Sequence, residues 1–127
     1  MDQNKNSVDI PPSELVSLRV YSHPPYQVEV ILNCAFILLG MDTLQDFDQM
    51  KKVLKDDKFR LKLAQGINIE DVTPVQYYHV KEIIDEYRAK VFDKPIVIKI
   101  ISNALSLIAE WIMLVYSKAL TFMCQED

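Results

Sequence analysis

The sequence predicts an all-α fold, a compact bundle of about five or six helices, and three observations support this class. Only two glycines occur among the 127 residues, which is too few for the turns of a β-sandwich. Apolar side chains recur at intervals of three and four residues along most of the chain, as in amphipathic helices. Half of the residues are apolar and a quarter are charged, which favours one folded domain over residues 1–127.

The first helix is predicted to follow a polar N-terminal stretch, residues 1–12, which we expect to be frayed. Two prolines precede Ser13, whose side chain is a suitable N-cap for a short helix. Leu15 and Leu18 are three residues apart, so both are expected to lie on the face that packs against the core.

A second helix is predicted over residues 25–39, because proline suits the first turn of a helix and Gly40 is a natural C-terminal cap. Between these two signals the apolar residues follow the i, i+3, i+4, i+7 pattern, which predicts one buried face. These residues are Val28, Ile31, Leu32, Ala35, Leu38 and Leu39.

A third and a fourth helix are predicted on either side of a pair of aspartates. Thr43 is a suitable N-cap for the third helix, and Asp56 or Asp57 for the fourth, which is expected to end at Gly66. Acidic residues begin the third helix and lysines end it, which is the order that the helix macrodipole favours. The inward-facing residues are expected to be Leu44, Phe47, Met50, Leu54, Phe59 and Leu63.

The fifth helix has a clear start signal in Thr73-Pro74-Val75-Gln76. Threonine is a good N-cap, proline suits the first helical position, and glutamine three residues after the cap completes a capping box. This helix is expected to run to about residue 90. Its inward-facing residues are expected to be Tyr77, Val80, Ile84 and Tyr87.

The last and longest helix is predicted to begin at Asp93-Lys94-Pro95. Its apolar residues alternate spacings of four and three, which is a heptad pattern. The main row is Val97, Ile101, Ala104, Ile108, Trp111 and Val115, and a second row is Ile100, Leu107 and Leu114. Beyond Val115 the apolar arc narrows, which predicts that this bundle helix continues outward into a coiled coil.

The sequence offers no recognisable metal, cofactor or catalytic site. Cys34 and Cys124 lie in apolar surroundings and are expected to be reduced, buried thiols of a cytosolic protein. Together with His23 and His79 they lack the spacing of zinc ligands, and neither histidine has partners for acid–base catalysis. We therefore expect a protein without metal or cofactor that is not an enzyme. An independent small enzyme is the least favoured alternative.

Neither of the two apolar regions is predicted to span a membrane. The stretch from Val30 to Met41 is too short for a bilayer, and the C-terminal region is interrupted by Lys99, Glu110 and Lys118. The N-terminus has no apolar signal core. We accordingly expect no membrane partner.

Charge is distributed unevenly along the chain. The net charge is −4, which argues against nucleic acid as a partner. Between Lys51 and Lys62, however, six basic residues stand against two acidic ones, so this segment carries a net charge of +4. Two interpretations are open: a solvated helix–turn–helix edge, or a docking edge whose clustered charge speeds its encounter with an acidic partner.

Four sequence motifs follow one another along the chain. The first is Leu18-Arg19-Val20-Tyr21-Ser22-His23-Pro24-Pro25, followed by Val28 and by Ala35-Phe36-Ile37-Leu38-Leu39-Gly40. The second is an aromatic-x-x-x-Lys-x-x-Leu pattern at Phe47, Lys51 and Leu54. The third is Asp56-x-x-Phe59-x-x-x-Leu63, and the fourth is Ser102-x-Ala104 followed by Trp111 and Tyr116.

In this order and at this spacing, the motifs resemble those of the microtubule-binding stalk tip of dynein heavy chains, with Phe47 where that family usually has Trp. The resemblance covers residues 13–120, and the Arg-Val-Tyr-x-x-Pro-Pro form is more similar to axonemal than to cytoplasmic dyneins. It implies that the first and last helices continue into an antiparallel coiled-coil stalk. The returning strand of that stalk would begin within residues 112–127.

The resemblance also implies a non-catalytic module of a motor whose ATPase ring lies elsewhere in a longer heavy chain. Stalk tips of this family grip the acidic tubulin surface of a microtubule through basic side chains, and sliding of the two coiled-coil strands switches their affinity. The implied location is the cytoplasm and its cytoskeleton, in the axoneme of a cilium. The candidate microtubule-binding residues are Arg19, Lys51, Lys52, Lys55, Lys58, Arg60, Lys62 and Lys99.

Three positions depart from the family pattern. Glu29 stands where cytoplasmic members carry a lysine after the double proline, and Ile100 and Asn103 stand where the family often places bases around the serine that matches Ser102. A carboxylate that faces acidic tubulin would repel it. These departures motivate an alternative: a divergent dynein-like helical domain with weak or no tubulin binding, which acts as a protein–protein interaction or structural module in the cilium.

Overall fold

The computed structural model describes residues 6–124, and this part of the chain is all-α, as predicted. It contains no strand, and an isolated antiparallel bridge joins Asn6 to Ile67. A 3₁₀ turn at Ile69–Asp71 and a π-helical turn at Arg88–Phe92 flank the fifth helix. The seven α-helices are α1 (Pro12–Arg19), α2 (Tyr26–Leu38), α3 (Phe47–Lys55), α4 (Asp57–Gln65), α5 (Pro74–Tyr87), α6 (Pro95–Ile101) and α7 (Asn103–Cys124).

The core lies between α2, α5 and α7. Helix α2 is buried on more than one face because α5 and α7 both pack against it. The predicted face is confirmed from Val28 to Leu38, whereas Leu39 follows the helix and is half-buried. Tyr77 of α5 stacks on Tyr116 of α7 with the ring centroids 5.5 Å apart. Burial raises the pKa of the Tyr77 hydroxyl to about 12, and its hydrogen bond with Tyr116 adds to this effect. The core is therefore formed by the two apolar helices α2 and α7, and α5 packs against both of them.

The start of α5 confirms the predicted capping box. The Thr73 hydroxyl accepts a hydrogen bond from the Gln76 backbone N–H at 3.1 Å, and the Gln76 side chain accepts one from the Thr73 N–H at 2.8 Å. The Gln76 side-chain amide also donates to the Ile37 carbonyl at 2.8 Å, so the cap fixes α5 to the end of α2. The helix ends at Tyr87 rather than near residue 90, and the π-helical turn follows.

Two predicted N-caps are wrong, and the structure gives a reason for each. Asp46, not Thr43, caps α3, because Asn33 holds the preceding chain outside the helix through both backbone groups of Leu44, each at 2.9 Å. Pro11, not Ser13, occupies the N-cap position of α1, and Ser13 lies in the first turn. Asp56 caps α4, as one of the two predicted possibilities.

Residues 6–12 are packed on the bundle, so the expectation that residues 1–12 are frayed is wrong for this part; residues 1–5 lie outside the described chain. Asn6 and Ile67 exchange backbone hydrogen bonds of 2.9 and 3.0 Å, and Ile10 is fully buried. The Trp111 indole N–H donates to the Asn6 carbonyl at 3.1 Å, and the Lys118 ammonium donates to its side-chain oxygen at 2.8 Å. These contacts are remote in sequence, so the polar composition of the segment gives no sign of them.

The predicted last helix is broken at Ser102 into α6 and α7. Ser102 is extended, with φ −169° and ψ 133°, and its hydroxyl accepts a hydrogen bond from the Leu105 N–H at 3.3 Å, so it caps α7. One extended residue changes the phase of the apolar pattern. The heptad assignment is therefore wrong before the break, where Val97 and Ile100 are exposed and Ile98 is buried.

Beyond the break the main apolar row is confirmed. The buried members of this row are Ala104, Ile108, Trp111 and Val115. The second row is not buried as predicted: Ile100 and Leu114 are exposed, and Leu107 is half-buried. The break also explains why the described chain has seven helices rather than five or six.

A coiled-coil continuation of the first and last helices stays a prediction. Helix α1 packs against α7, and α7 extends to Cys124. Before α1, residues 7–11 form no helix. The two helices that the stalk would prolong are therefore neighbours in the bundle.

The two cysteines lie in different environments. Cys34 on α2 is fully buried, and burial raises the pKa of its thiol to about 12. Cys124 is exposed at the end of α7, so the expectation of two buried thiols is correct for Cys34 and wrong for Cys124. Both are free thiols in the described structure.

Helix α7 is the one described helix that is long and apolar enough to cross a membrane, with a mean hydropathy of 1.5. Core helices of soluble proteins pass the same test of length and composition, so this is weak evidence for a span. In this fold α7 contacts α1, α2, α5 and α6. Its apolar length is thus used, at least in part, to pack the bundle.

Candidate functional site

The basic segment Lys51–Lys62 forms one edge of the bundle, made by α3 and α4, which we call the basic edge. Each helix is short and buries one apolar row: Phe47, Met50 and Leu54 on α3, and Phe59 and Leu63 on α4. Phe59 anchors α4 to the core, since its ring makes an edge-to-face contact with Phe36 of α2 at 5.4 Å. Because the apolar rows point inward, the basic side chains between them are left on the outer face.

The predicted bases of the edge differ in how they are held. Lys52, Lys55, Lys58 and Lys62 are exposed. The half-buried Lys51 places its ammonium 5.4 Å from the centre of the Phe47 ring, a cation–π contact. Arg60 is also half-buried, and its Nη2 lies 3.8 Å from the Asp57 carboxylate, which is a long ion pair. Four bases are thus exposed to solvent, and the side chains of the other two are held by contacts within the protein.

Arg19 joins the basic edge through a cavity of about 290 Å³ between α1, α3 and α4, which we call the edge cavity. Arg19, Lys55 and Arg60 all line it, together with one carboxylate, that of Asp57. The Nε atom of Arg60 is buried and has no acceptor among the described residues. The remaining lining residues are Pro12, Ser13, Leu15, Val16 and Leu54.

Lys99, Ile100 and Asn103 lie at the junction of α6 and α7, and all three are exposed. The junction is fixed to the region of α1 by two hydrogen-bonding contacts. The Tyr21 hydroxyl donates to the Ile101 carbonyl at 3.0 Å, and the hydroxyls of Ser17 and Ser102 are 3.3 Å apart. Helix α1 therefore connects the junction with the basic edge.

Glu29 lies in the first turn of α2, away from the edge cavity. It is half-buried and lines a second concavity of about 510 Å³ together with His23, Asp46 and Asp48. Three carboxylates thus share this concavity, which makes the surface acidic just before the start of the basic edge. The carboxylate that departs from the family pattern is therefore part of a local acidic group.

Helix α6 carries an exposed apolar face that includes Val97 and Ile100, which were predicted to be buried. Ile96 is 75% exposed and Ile100 is 79% exposed, with Val97 beside them at 39%. A cavity of about 240 Å³ lies between α6 and α7, with Phe92, Ile98 and Met113 among its lining residues. The adjacent pair Ser102 and Asn103 was a signal for this arrangement, because both residue types favour helix starts over helix interiors.

No group of three or more His, Cys, Asp or Glu residues in the described chain is arranged to hold a metal ion. An exposed ion pair joins Lys81 to Asp85 at 2.6 Å, and its hydrogen bond raises the pKa of Lys81. This pair follows the i, i+4 spacing of a helix surface and lies on α5, outside the basic edge.

Comparison with protein-family models, curated proteins and solved structures finds no match to this chain. The resemblance to dynein stalk tips therefore depends on the four motifs. In the structure these motifs correspond to the end of α1 with α2 and its C-terminal end, to α3, to α4, and to the α6–α7 junction with α7.

Proposed function

We propose that this chain is the microtubule-binding stalk-tip domain of an axonemal-type dynein heavy chain, a non-catalytic module that docks on the acidic tubulin surface. The observation that carries the proposal is the basic edge. Six bases lie on two adjacent short helices, and four of them are exposed, in a protein whose net charge is −4. Such clustered charge favours and speeds encounter with an acidic surface.

The proposed interface contains Arg19, the bases of the basic edge and Lys99. Helix α1 packs against α3 on one side and α7 on the other, so it is placed between the basic edge and the longest helix. In the proposal, the register between the two stalk strands sets the affinity, and α1 and α7 transmit it to the bases. The ATPase activity belongs to other parts of the heavy chain, and the axoneme is the proposed location.

The test is co-sedimentation of the protein with stabilised microtubules over a range of ionic strength. We expect the wild-type protein to pellet at low ionic strength and to be released as salt rises, because exposed ionic contacts are screened. The double variant Lys58→Gln/Lys62→Gln should weaken binding at least severalfold. Lys90→Gln/Lys94→Gln makes the same charge change at exposed lysines outside the edge, and it is the matched control.

Two outcomes would overturn the proposal. The wild-type protein would fail to pellet even at low ionic strength, or the two double variants would lose the same affinity, which would mean that net charge alone governs sedimentation. A further variant, Glu29→Lys, is expected to raise the affinity, since it replaces a carboxylate by a base. Unchanged affinity in this variant would place Glu29 outside the interface.

A second candidate function is that of a divergent dynein-like domain with weak or no tubulin binding, which serves as a protein–protein interaction or structural module in the cilium. Ile100, where the resembled family often has a base, is a largely exposed apolar side chain beside Ile96. Exposed apolar patches favour contact with apolar protein surfaces over acidic ones. The acidic group around Glu29 also favours this candidate, because it would repel tubulin.

Sedimentation of the wild-type protein and of further variants distinguishes the two candidates. If the second is correct, the wild-type protein does not pellet, whereas Glu29→Lys/Ile100→Lys/Asn103→Lys gains salt-sensitive binding because bases are restored. A non-tubulin partner recovered from ciliary extract should then be lost with Ile96→Asp/Ile100→Asp and kept with Lys58→Gln/Lys62→Gln. The reverse pattern in the pulldown would contradict the second candidate.

A further inference from the structure

The edge cavity between α1, α3 and α4 concentrates positive charge in a partly enclosed space. Arg19, Lys55 and Arg60 line it against the single carboxylate of Asp57, so it carries a formal excess of two positive charges. Its remaining walls are largely apolar, with Leu15, Val16 and Leu54 among them. Apolar walls lower the local dielectric and strengthen the attraction for an anion that enters.

Arg60 is incompletely paired inside the protein. Its contact with Asp57 is 3.8 Å long, which exceeds hydrogen-bond distance, and the Asp57 side chain is 76% exposed. The Arg60 Nε is buried without an acceptor among the described residues. A guanidinium presents its donors as a planar fork that matches two oxygens of one oxyanion, and the terminal nitrogens of Arg60, rather than the buried Nε, supply this capacity for a ligand.

We propose that the edge cavity is a binding site for a phosphate monoester. The charge of such a group at neutral pH, about −1.5 to −2, matches the excess of two positive charges in the cavity, whereas a single carboxylate would leave one charge uncompensated. Arg60 and Lys55 supply charged donors, Arg19 completes the positive lining, and the Ser13 hydroxyl adds a neutral donor. The same chemistry is offered by phosphate free in solution and by a phosphorylated peptide.

This site goes beyond the proposed function and does not depend on it, because phosphate binding is measured without microtubules. Its occupation would neutralise bases that also belong to the basic edge, so the bound phosphate would weaken contact with an acidic partner. If tubulin binding fails and phosphate binding holds, the function is overturned and the site stands. The opposite result overturns the site alone.

The experiment follows the backbone and guanidinium resonances of the isotope-labelled protein by NMR during a titration with inorganic phosphate, with chloride at equal ionic strength as reference. We expect saturable shifts at Ser13, Arg19, Lys55 and Arg60 with phosphate and none with chloride. Acetate, which carries one charge, should bind at least tenfold more weakly. Equal responses to phosphate, chloride and acetate would overturn the proposal.

Variants distinguish specific phosphate binding in the edge cavity from non-specific electrostatic attraction of phosphate. Arg60→Gln and Lys55→Gln, which remove donors from the cavity, should each lower the phosphate affinity at least fivefold. Lys62→Gln is the matched control, since it removes the same charge from α4 at an exposed position that does not line the cavity. An equal loss in Lys62→Gln would show that charge density alone attracts phosphate, and the proposal would fail.

A second titration identifies the source of the phosphate. A short peptide that contains phosphoserine is compared with the same peptide unphosphorylated. If the phosphopeptide binds at least tenfold more tightly than inorganic phosphate, the natural ligand is a phosphorylated segment. If the two bind equally, the site recognises the phosphate group alone. If neither binds, no phosphate monoester occupies this cavity and the proposal is overturned.

Discussion

The basic edge and the α6–α7 junction flank the same helix, α1, and are built in opposite ways. At the basic edge, each helix begins at an exposed aspartate that bonds a backbone N–H two residues further on. At the junction, α7 begins at the buried Ser102, whose hydroxyl also contacts Ser17, 85 positions away. The edge is specified by neighbouring residues, whereas the junction is specified by the tertiary fold.

The surface of the basic edge also follows from its local sequence, whereas the surface of the junction does not. The basic edge follows its local apolar pattern, so its charged residues are outside and its aromatic residues are inside. At the junction, the extended Ser102 rotates α6 out of the pattern of α7 and exposes two isoleucines. A helix surface therefore remains predictable from the sequence as long as no distant contact interrupts the helix.

The largest loss of stability is expected at Gly66, where the end of the basic edge contacts the distant N-terminal segment. This residue ends α4 with φ +77° and ψ 179°, and a Cβ there would lie 2.6 Å from the Asn6 carbonyl oxygen. Gly66→Ala should therefore lower the free energy of unfolding by about 3 kcal/mol or more, from backbone strain plus the clash. Urea denaturation measures this loss.

Gly40→Ala is the matched control for Gly66→Ala. Gly40 has a similar φ of +75°, but a Cβ added there would meet nothing within 4 Å, so only the strain remains, about 1 kcal/mol. Equal losses in the two variants would mean that the N-terminal segment does not rest on the end of α4. The structure of the basic edge would then depend on neighbouring residues alone.

A loss of stability at alkaline pH should affect both regions together, because α2 underlies both. The Cys34 thiol on α2 has its pKa raised by burial from 9.0 to about 12 in the folded protein. The folded pKa exceeds the unfolded one, so the stabilisation is complete below about pH 9 and is lost as pH rises towards 12. We expect a loss of roughly 1 kcal/mol per pH unit in this window.

Urea unfolding under reducing conditions, between pH values below and above the ordinary thiol pKa of 9.0, measures this slope. Cys34→Ala should reduce this slope, and the remaining slope above pH 10 comes from Tyr77, whose pKa is also raised from 10.0 to about 12. Cys124→Ala, at the exposed thiol, is the control that should leave the slope unchanged. Probes placed in the two regions should report the same midpoint at each pH. Separate midpoints would mean that the regions do not share one cooperative core.

The buried N-cap Ser102 should contribute more to the free energy of unfolding than the exposed N-cap Asp56. Ser102→Ala removes a buried cap and its contact with Ser17, and is expected to cost about 1–2 kcal/mol. Asp56→Ala removes an exposed cap and is expected to cost about 0.5–1 kcal/mol. The measurement is again urea unfolding. A larger loss at Asp56 would reverse the contrast between a tertiary and a local helix start.

The smallest effect on stability is expected at the exposed lysines of the basic edge. Lys58→Gln and Lys62→Gln should each change the free energy of unfolding by less than about 0.5 kcal/mol, because neither side chain is buried or paired in the described structure. Thermal unfolding and circular dichroism check this. A larger loss would show that these lysines support the fold and would compromise their use as binding probes.

Much of the fold could be predicted because its signals are local. The capping box at Thr73, the glycines that follow α2 and α4, and the apolar row of α2 each lie within a few residues of the structure they determine. The basic edge could be predicted as an exposed surface for the same reason. Its charges and its apolar rows alternate within single helices.

The remaining features depend on residues far apart in the sequence. Asn6 is buried because Trp111 and Ile67 bind it, and no composition rule for a polar N-terminus anticipates that. The heptad pattern in the sequence continues across Ser102 because Ile101 and Ala104 keep the expected spacing, although Ser102 between them is extended. The edge cavity likewise could not be predicted from the sequence, because Arg19 and Arg60 belong to different helices.

Asn6 has a mechanical consequence. Hydrogen bonds attach it to Trp111 and Lys118 of α7, and backbone pairing attaches it to Ile67, next to the last turn of α4. It thus links the longest helix to the end of the basic edge, in parallel with the packing of α7 on α1, α2, α5 and α6. A displacement of α7 along its axis is therefore opposed by this polar link as well as by apolar packing, and the link ends at Ile67, just after α4, a helix that carries the basic edge.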